Sequence, residues 1–159
     1  MDKTAAISAL QKMTYGLYAL TAAHQGAQNA MIASWVSQVS YDPFLVMVAV
    51  HPNRYTHALI TRSGCFALHV LAREQKGWVR RLKDPDPESK FLNIPWEKGV
   101  TGCPILQQCI AYLECRVVET LNPGNHTLFM GEVAHAVRLS TDEFPLSTLD
   151  YEGTYTGKQ

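Results

Sequence analysis

The alternation of hydrophobic and polar positions along the chain predicts mostly strands. Residues 13–23 alternate in a way that predicts a strand with both faces partly covered, followed by a hairpin turn at residues 24–26. The uninterrupted apolar runs at residues 44–50 and 65–71 are typical of strands buried on both faces. The other predicted strands are residues 29–40, 109–120 and 126–139, the last two joined by a turn at residues 121–125, and a short strand near Leu149.

Helical spacing is confined to three segments. Residues 4–12 carry apolar side chains three positions apart, which predicts a short amphipathic helix that needs a partner surface. A second helix is predicted to begin after Asn53 as its N-cap and to end at Gly64. Residues 73–83 predict an exposed basic helix, and residues 84–102 are expected to be irregular. The inward side of the second helix is predicted to consist of Tyr55, Leu59 and Ile60.

The order of these elements determines the expected fold class. About six or seven strands, mostly connected by hairpins, occur without the alternation of strands and helices that builds a parallel sheet. This order favours a mainly β fold, an antiparallel barrel with a few short flanking helices. No linker or internal repeat divides the chain, so residues 1–159 are expected to form a single domain.

Composition narrows the classes of partner. The formal net charge is zero, with 14 basic and 14 acidic residues, whereas nucleic-acid-binding proteins have a basic excess or stripe. A net charge near zero also favours self-association. No apolar run reaches the roughly 18 residues of a membrane span, and the N-terminus lacks a signal-peptide core. We therefore expect a cytoplasmic protein without nucleic-acid or membrane partners, in which the four cysteines are reduced structural thiols.

Several motifs for catalysis and cofactor binding are absent from the sequence. It contains neither a Gly-x-Ser-x-Gly nucleophile elbow nor the glycine-rich loops GxGxxG and GxxxxGK[ST]. Metal-ligand spacings such as CxxC, HxH and HExxH are also missing. Cys65 with His69, or His51 with His57, could converge on a metal, but buried cysteines and surface histidines are far commoner, so we expect no metal site.

The turn before the second predicted helix is the first candidate for ligand binding. Residues 53–56 place an arginine and a threonine at a helix N-terminus, where unpaired backbone N–H groups and the helix dipole attract anions. Arg54 can add charge-assisted hydrogen bonds and Thr56 a hydroxyl donor. The alternative is a plain capping turn with a solvated arginine.

Two further features could complete a ligand site. Residues 34–38 introduce small polar side chains into an otherwise apolar strand, where burial is costly unless they form hydrogen bonds. A heteroaromatic ring could supply those bonds while Trp35 packs nearby. His126 begins a predicted strand, where a histidine could hydrogen-bond a cofactor or donate a proton near neutral pH. The alternatives are a half-exposed strand with a polar outer face and a turn histidine without a role.

A series of short motifs extends over nearly the whole chain. In order, it comprises Thr14-Tyr15-Gly16-Leu17-Tyr18, Ser34-Trp35-Val36-Ser37-Gln38-Val39-Ser40, Asp42-Pro43, Tyr55-Thr56-His57, Ser63-Gly64-x-Phe66, Gly102-Cys103-Pro104-Ile105-Leu106, Leu113-Glu114-Cys115 and Asn125-His126-x-Leu128-Phe129-x-Gly131-Glu132-Val133. Their order and spacing resemble the flavin reductase-like family of FMN-binding split barrels. The chain is especially similar to the flavin-reductase modules fused behind diiron flavoproteins and to flavoredoxin-like proteins.

The resemblance implies an FMN-binding homodimer, with each flavin near the interface, that transfers hydride from NADH or NADPH to flavin N5. The reduced flavin then passes electrons on, as a diffusing product or as a bound group that serves a protein electron acceptor. It also implies that His126 is the catalytic residue, close to the ring where the nicotinamide approaches, and that residues 34–38 line the isoalloxazine while residues 53–56 bind the phosphate. The implied cofactor-binding residues are Ile32, Ser34, Trp35, Val36, Ser37, Gln38, Pro52, Asn53, Arg54, Tyr55 and Thr56.

Two positions depart from the family pattern. Many members have Gly-Asp-His where this chain has Gly124-Asn125-His126, so a carboxylate that could orient the histidine is missing. Arg54 replaces a small hydroxyl residue, which should strengthen phosphate binding and favours tightly held FMN. Two alternatives remain open: an FMN electron carrier reduced by a protein partner without a nicotinamide site, and a flavin-free module on the same barrel.

Overall fold

Strands dominate the computed structural model, which describes residues 2–151. The helices are α1 (Lys3–Leu10), α2 (Tyr55–Ser63), α3 (Lys76–Arg81) and α4 (Pro87–Phe91), with a short 3-10 turn at Arg73–Gln75. The strands are β1 (Tyr18–His24), β2 (Ala27–Ala33), β3 (Val36–Tyr41), β4 (Phe44–Val50), β5 (Cys65–Val70), β6 (Trp96–Lys98), β7 (Pro104–Leu106), β8 (Ala111–Leu121) and β9 (Thr127–Arg138).

Seven of these strands form one antiparallel sheet in the order β2-β1-β5-β8-β9-β4-β3, and β6 pairs with β7 in a separate ribbon. The two edge strands of the sheet, β2 and β3, are joined only by Ser34 and Trp35. Three Cα–Cα steps span at most about 11 Å, so the two edges must come together. The sheet therefore curls into a split barrel, and the predicted mainly β, antiparallel split barrel with short flanking helices is confirmed.

Apolar side chains from the central strands and from α2 fill the barrel. Leu20 and Phe66 are fully buried there, and α2 adds Leu59 and Ile60 to the same cluster. Burying each such side chain contributes about 1.5–3 kcal/mol relative to exposure. Gly131 on β9 is required at its position, because a Cβ there would lie 2.5 Å from Cζ of Phe66. The tight packing holds α2 firmly against the barrel.

A second apolar cluster on the outer face of β1 holds the segment that contains α3 and α4. Successive residues of a strand face opposite sides, so Leu20 points into the barrel and Ala19 into this outer cluster. Val79 and Leu82 anchor α3 there, and Phe91 anchors α4. This packing places the segment between the two helices beside β2.

The largest difference from the sequence prediction concerns the single strand expected over residues 29–40. The chain leaves the sheet after Ala33 and re-enters at Val36 on the opposite edge, so two strands replace one. The two residues of the break, Ser34 and Trp35, include neither glycine nor proline. The break therefore follows from closure of the barrel and not from a local turn preference.

The start of α2 also differs from its prediction. Arg54 is the N-cap, not Asn53, because the helix begins one residue later than expected. Leu59 and Ile60 face inward as predicted, and Thr56 shares their face because it lies three and four residues before them. Tyr55 is accordingly 45% exposed, whereas Thr56 is fully buried beside Leu59. The predicted helix end at Gly64 is confirmed by its left-handed φ of 66°.

Other strand and loop predictions need smaller corrections. The first strand begins at Tyr18 instead of residue 13, and β4 has one buried face, with its alternate residues only half-buried. The segment 84–102 contains α4 and β6, although it was expected to be irregular. Leu149 lies in a turn and is 82% exposed, so no strand forms there. The sequence also predicts that the glycines and threonines of residues 153–157 lie on a surface, and these residues are outside the described range.

The exposed basic helix predicted over residues 73–83 is a 3-10 turn followed by the shorter α3, and it is not fully exposed, because Val79 and Leu82 are buried in the outer cluster. The other local predictions agree with the structure. The hairpin between β1 and β2, the strand β5, and the long pair β8 and β9 form where the sequence placed them. The helix α1 also forms, but none of its residues is buried. The four cysteines are buried free thiols, and burial raises the pKa of Cys115 to about 12. No helix within residues 2–151 is long and apolar enough to cross a membrane.

Candidate functional site

A cavity of about 610 Å³ lies beside the break between β2 and β3. Its walls come from β2, the Ser34-Trp35 link, the turn before α2, the segment from α3 to α4, and the start of β9. Cavities of this volume are typical of sites for cofactors and other small molecules. The split in the barrel thus coincides with a space large enough for a ligand.

Lys90 places a buried cation in the wall of this cavity. It is 6% exposed, and its Nζ donates hydrogen bonds to Asn29 Oδ1 and the Ala30 carbonyl oxygen, both at 2.9 Å. Among residues 2–151, no carboxylate oxygen lies within the 4.0 Å that defines a salt bridge with Nζ. Burial lowers the pKa of Lys90, Asp84 opposes this at longer range, and Arg54 reinforces it. A buried charge without a counter-charge is costly unless a ligand supplies one.

Asn29 and Thr56 connect this cation to the start of α2. Asn29 is 4% exposed, and its Nδ2 donates to Thr56 Oγ1 at 2.9 Å while its Oδ1 accepts from Lys90. Because Thr56 Oγ1 accepts this bond, its own hydroxyl hydrogen remains a donor. Thr56 lines the cavity, so β2, α4 and α2 share one hydrogen-bonded chain at its wall.

The N-terminus of α2 faces the same cavity without a side-chain cap. Arg54 occupies the N-cap position and makes no capping bond. Within residues 2–151 its guanidinium has neither a hydrogen bond nor a salt bridge, and the side chain is exposed. The first-turn N–H groups and the helix dipole favour an anion there. We call Asn29, Arg54, Thr56 and Lys90 the cationic cluster.

His126 lies at the start of β9 and is 8% exposed. Its ring centroid is 4.6 Å from that of Trp35. Its Nδ1 is 2.8 Å from Asn125 Oδ1, and since an amide oxygen can only accept, Nδ1 carries the hydrogen. Burial lowers the pKa of His126, with further lowering by His51 and Arg54, so the ring is neutral at neutral pH. Asn125 thus orients the ring as the missing carboxylate would, without its charge.

His51 completes this wall at the end of β4. Its ring meets that of His126 edge-on, with centroids 5.2 Å apart at 87°. We call Trp35, His51 and His126 the aromatic cluster. Among the described residues, no group of three or more His, Cys, Asp or Glu side chains is arranged to hold a metal ion.

Eight of the twelve predicted site residues line the cavity, and four do not. Val36 packs towards the barrel core, Ser37 and Gln38 are exposed on β3, and Pro52 is exposed in the turn. The strand break explains the first three, because residues after Trp35 belong to the other edge of the sheet. The eight lining residues are Ile32, Ser34, Trp35, Asn53, Arg54, Tyr55, Thr56 and His126.

The sequence prediction missed Asn29, His51 and Lys90. Asn29 lay inside a predicted strand, and Lys90 lay in a segment expected to be irregular, 61 residues further along the chain. Asp86 caps α4 and Pro87 occupies its first turn. This pattern is a known helix-start signal and could have revealed α4. It could not have revealed that Lys90 is buried.

The chain is similar to known proteins over most of its length. The family model described as flavin reductase like domain matches residues 10–158. The chain is 31% identical to a ferric-chelate reductase (NAD(P)H) of Archaeoglobus fulgidus, over 96% of this chain and 92% of that protein. It is 33% identical to the putative diflavin flavoprotein A 2 of Synechocystis sp. over 76% of this chain, and it spans 21% of that protein.

A solved structure shows the same similarity in three dimensions. The NADH:FAD oxidoreductase SgcE6 of Streptomyces globisporus C-1027, in complex with NAD and FAD fragments, superposes with a TM-score of 0.83. The sequence identity is 26%, and the match covers 92% of this chain and 87% of that chain.

Proposed function

Because the chain belongs to the flavin reductase-like domain family of flavoprotein oxidoreductases, we propose that it binds FMN in the cavity and catalyses the reduction of FMN by NADH or NADPH. The cationic cluster is the observation that carries this proposal. A buried lysine without a carboxylate partner, an exposed arginine and an uncapped helix N-terminus all border one cavity. Together they match a ligand that combines a phosphate with an apolar body.

The charge of the cluster favours FMN over FAD. A phosphate monoester carries about −1.5 to −2 charges at pH 7 and has three terminal oxygens. Lys90 and Arg54 can balance two charges, while Thr56 and the first-turn N–H groups of α2 supply further donors. The pyrophosphate of FAD is a diester, with its charge spread over two phosphorus atoms. Its adenosine would also require room beyond the cluster.

The flavin ring is assigned to the aromatic cluster and the adjacent end of β2. Ile32 and Ser34 line the cavity next to Trp35, so apolar contact and a hydroxyl group are both available to a heteroaromatic ring. The four predicted residues outside the cavity, Val36, Ser37, Gln38 and Pro52, receive no direct role. The ring-binding wall is therefore shorter than the predicted strand.

Bound FMN would supply the redox chemistry, in which NAD(P)H, FMN and one proton give NAD(P)⁺ and reduced FMN. The protein orients the reactants and limits access of water. His126 is neutral and is fixed by Asn125, so it acts as a rigid hydrogen-bonding wall and not as a charged acid. Of the two roles predicted for His126, this favours a hydrogen bond to the cofactor over donation of a proton.

A visible spectrum of the purified protein tests the proposal. We expect flavin absorbance, or its appearance with quenched fluorescence when FMN is added, and loss of that absorbance after anaerobic addition of NADH or NADPH. A protein that never binds FMN would contradict the proposal. Flavin that dithionite bleaches but neither nicotinamide reduces would instead identify an electron carrier that needs a protein donor.

We also propose that the protein is a homodimer with the flavin near the interface. Val39, Tyr41 and Phe44 on the β3–β4 hairpin are 50%, 81% and 59% exposed, and the rings of Tyr41 and Phe44 contact each other at 5.9 Å. Exposed apolar clusters of this kind are typical of protein interfaces. Sedimentation equilibrium should give twice the monomer mass of 17.7 kDa, and Tyr41→Lys should shift the equilibrium towards monomer.

A further inference from the structure

His51 belongs to the aromatic cluster and also contacts Arg54 of the cationic cluster, although the proposed function gives it no task of its own beyond lining the ring site. It follows the last residue of β4 and lines the cavity. Its ring lies against His126, and its backbone and Nδ1 hold the turn that leads into α2. The residue therefore joins the part of the site assigned to the ring to the part assigned to the phosphate.

The ring of His51 packs edge-on against His126. The centroid distance is 5.2 Å and the planes are nearly perpendicular at 87°, a favoured arrangement of aromatic rings. Trp35 lies 4.6 Å from His126. His126 thus contacts two rings, and Asn125 fixes the rotation of its imidazole at Nδ1.

The other edge of His51 caps the turn before α2. The backbone N–H of Asn53 donates to His51 Nδ1 at 3.3 Å, and the N–H of Arg54 donates to the His51 carbonyl oxygen at 3.0 Å. These bonds fix the two residues that immediately precede the uncapped N-terminus of α2. Because Nδ1 accepts a bond, the neutral ring carries its hydrogen on Nε2.

We propose, on the basis of the proposed function, that His51 is a positioning residue with two separable tasks. Its ring holds His126 in place beside the flavin and nicotinamide. Its Nδ1 holds the turn that presents Arg54 and the N-terminus of α2 to the flavin phosphate.

The charges around His126 give this arrangement a measurable signature. Arg54 approaches from the turn and His51 from the end of β4. Each of these groups is neutral or positive, and none of the described carboxylates forms a salt bridge with them. Replacing His51 removes one group that lowers the pKa of His126, so that pKa should rise towards its ordinary value.

Two substitutions separate the two tasks. In His51→Asn, the side-chain oxygen can still accept from the N–H two residues ahead, as in an Asx turn, but the ring is lost. In His51→Phe, the ring remains and the acceptor is lost. His135→Asn and His135→Phe are matched controls, because His135 is exposed on β9 and does not line the cavity.

The two variants should show opposite patterns when FMN affinity is measured by fluorescence quenching and reduction by NADH is measured by stopped flow. His51→Phe should raise the Kd for FMN by about 2- to 10-fold, the loss of one neutral hydrogen bond, with a smaller change in the rate of reduction. His51→Asn should slow reduction by roughly tenfold or more, with a smaller change in Kd. In apoprotein NMR titrations, the pKa of His126 should rise in both variants, and more in His51→Asn, where water replaces the ring.

Equal losses of affinity and rate in both variants would overturn the proposal, and so would two variants that match their His135 controls. If one of these results is found and the wild-type protein still binds and reduces FMN, the role of His51 is wrong and the proposed function stands. If the wild-type protein does not bind FMN, the proposed function fails. The ring contact can be tested even in that case, because the titration of the apoprotein needs no flavin. An unchanged pKa of His126 in His51→Asn would refute the contact.

Discussion

Within residues 2–151 the protein buries two charged side chains, Glu114 and Lys90, and their surroundings differ. Glu114, 1% exposed on β8, accepts hydrogen bonds from Val100 N, Thr101 N and Thr101 Oγ1 at 2.7–3.2 Å. Lys90, 6% exposed on α4, donates to two neutral oxygens and faces a cavity. The carboxylate is compensated by three donors inside the fold, whereas the ammonium has two neutral acceptors and borders the proposed phosphate site.

This difference separates a structural polar network from a functional one. Buried ionised groups need compensating charge or hydrogen bonds. Where the fold supplies these, as for Glu114, the group locks a loop in place. Where the fold supplies only two neutral acceptors and leaves the group facing a cavity, as for Lys90, the group is suited to an anionic ligand. Substitutions in the first network should therefore change stability, and substitutions in the second should change affinity.

The largest effect is expected for Glu114→Ala. The substitution leaves the donors of Val100 and Thr101 without their acceptor, and hydrogen bonds to a charged group contribute about 1.5–3 kcal/mol each, although not additively. We expect the free energy of unfolding, measured in urea, to fall by about 3–5 kcal/mol. FMN affinity of the folded protein should not change. Glu119→Ala is the matched control, because that carboxylate is exposed on the same strand.

A loss of stability of similar size should appear at acidic pH. Burial lowers the pKa of His69 to about 4 in the folded protein, against an ordinary value of 6.5. The unfolded chain then binds the proton more readily, so this stability is fully present above pH 6.5 and is lost as pH falls towards 4. The difference corresponds to about 3 kcal/mol. Urea unfolding at pH 7, 5.5 and 4 should show the loss, and His69→Gln should remove most of this pH dependence.

Lys90→Met tests the other network. We expect the Kd for FMN to rise by about 10- to 150-fold, which corresponds to about 1.5–3 kcal/mol for a charge-assisted hydrogen bond. Stability of the apoprotein should change by less than about 1 kcal/mol, because removing an uncompensated cation offsets the loss of its bonds to Asn29 and Ala30. Arg54→Ala should weaken FMN binding by a similar amount. Large destabilisation with unchanged FMN affinity would make Lys90 a structural residue like Glu114.

The smallest changes in FMN affinity are expected for substitutions at the boundary of the site. Ser37→Ala and Gln38→Ala alter exposed positions outside the cavity, and each should change FMN affinity by less than about 0.5 kcal/mol. Ser34→Ala, inside the cavity, should cost about 0.5–1.5 kcal/mol. Equal effects at Ser34 and Ser37, measured by titration with FMN, would mean that the ligand contacts β3 as well as the link before it.

The sequence could predict what depends on local pattern. Alternating apolar residues and turn residues identified the long β8–β9 pair, the β1–β2 hairpin and the barrel class. The motif around Arg54 and Thr56 also led to a wall of the cavity. These features depend on residues that are close together in the chain.

What depends on closure of the barrel could not be predicted in this way. The strand break at Ser34 and Trp35 exists because the two edges of the sheet must meet. Lys90 becomes buried because α4 docks against β2, where Asn29 is its partner. Neither contact has a signature in local composition, so the length of the proposed ring-binding wall and the buried cation Lys90 appeared only in the structure.

A comparison of FMN with riboflavin tests the central claim most directly, since the two ligands differ only in the phosphate. Fluorescence titration of the wild-type protein should give a Kd for FMN at least about tenfold below that for riboflavin. The ratio should shrink in Lys90→Met and in Arg54→Ala, because neither substitution affects the ring. Equal affinities for FMN and riboflavin in the wild-type protein would show that the cationic cluster does not bind the phosphate, and would contradict the account.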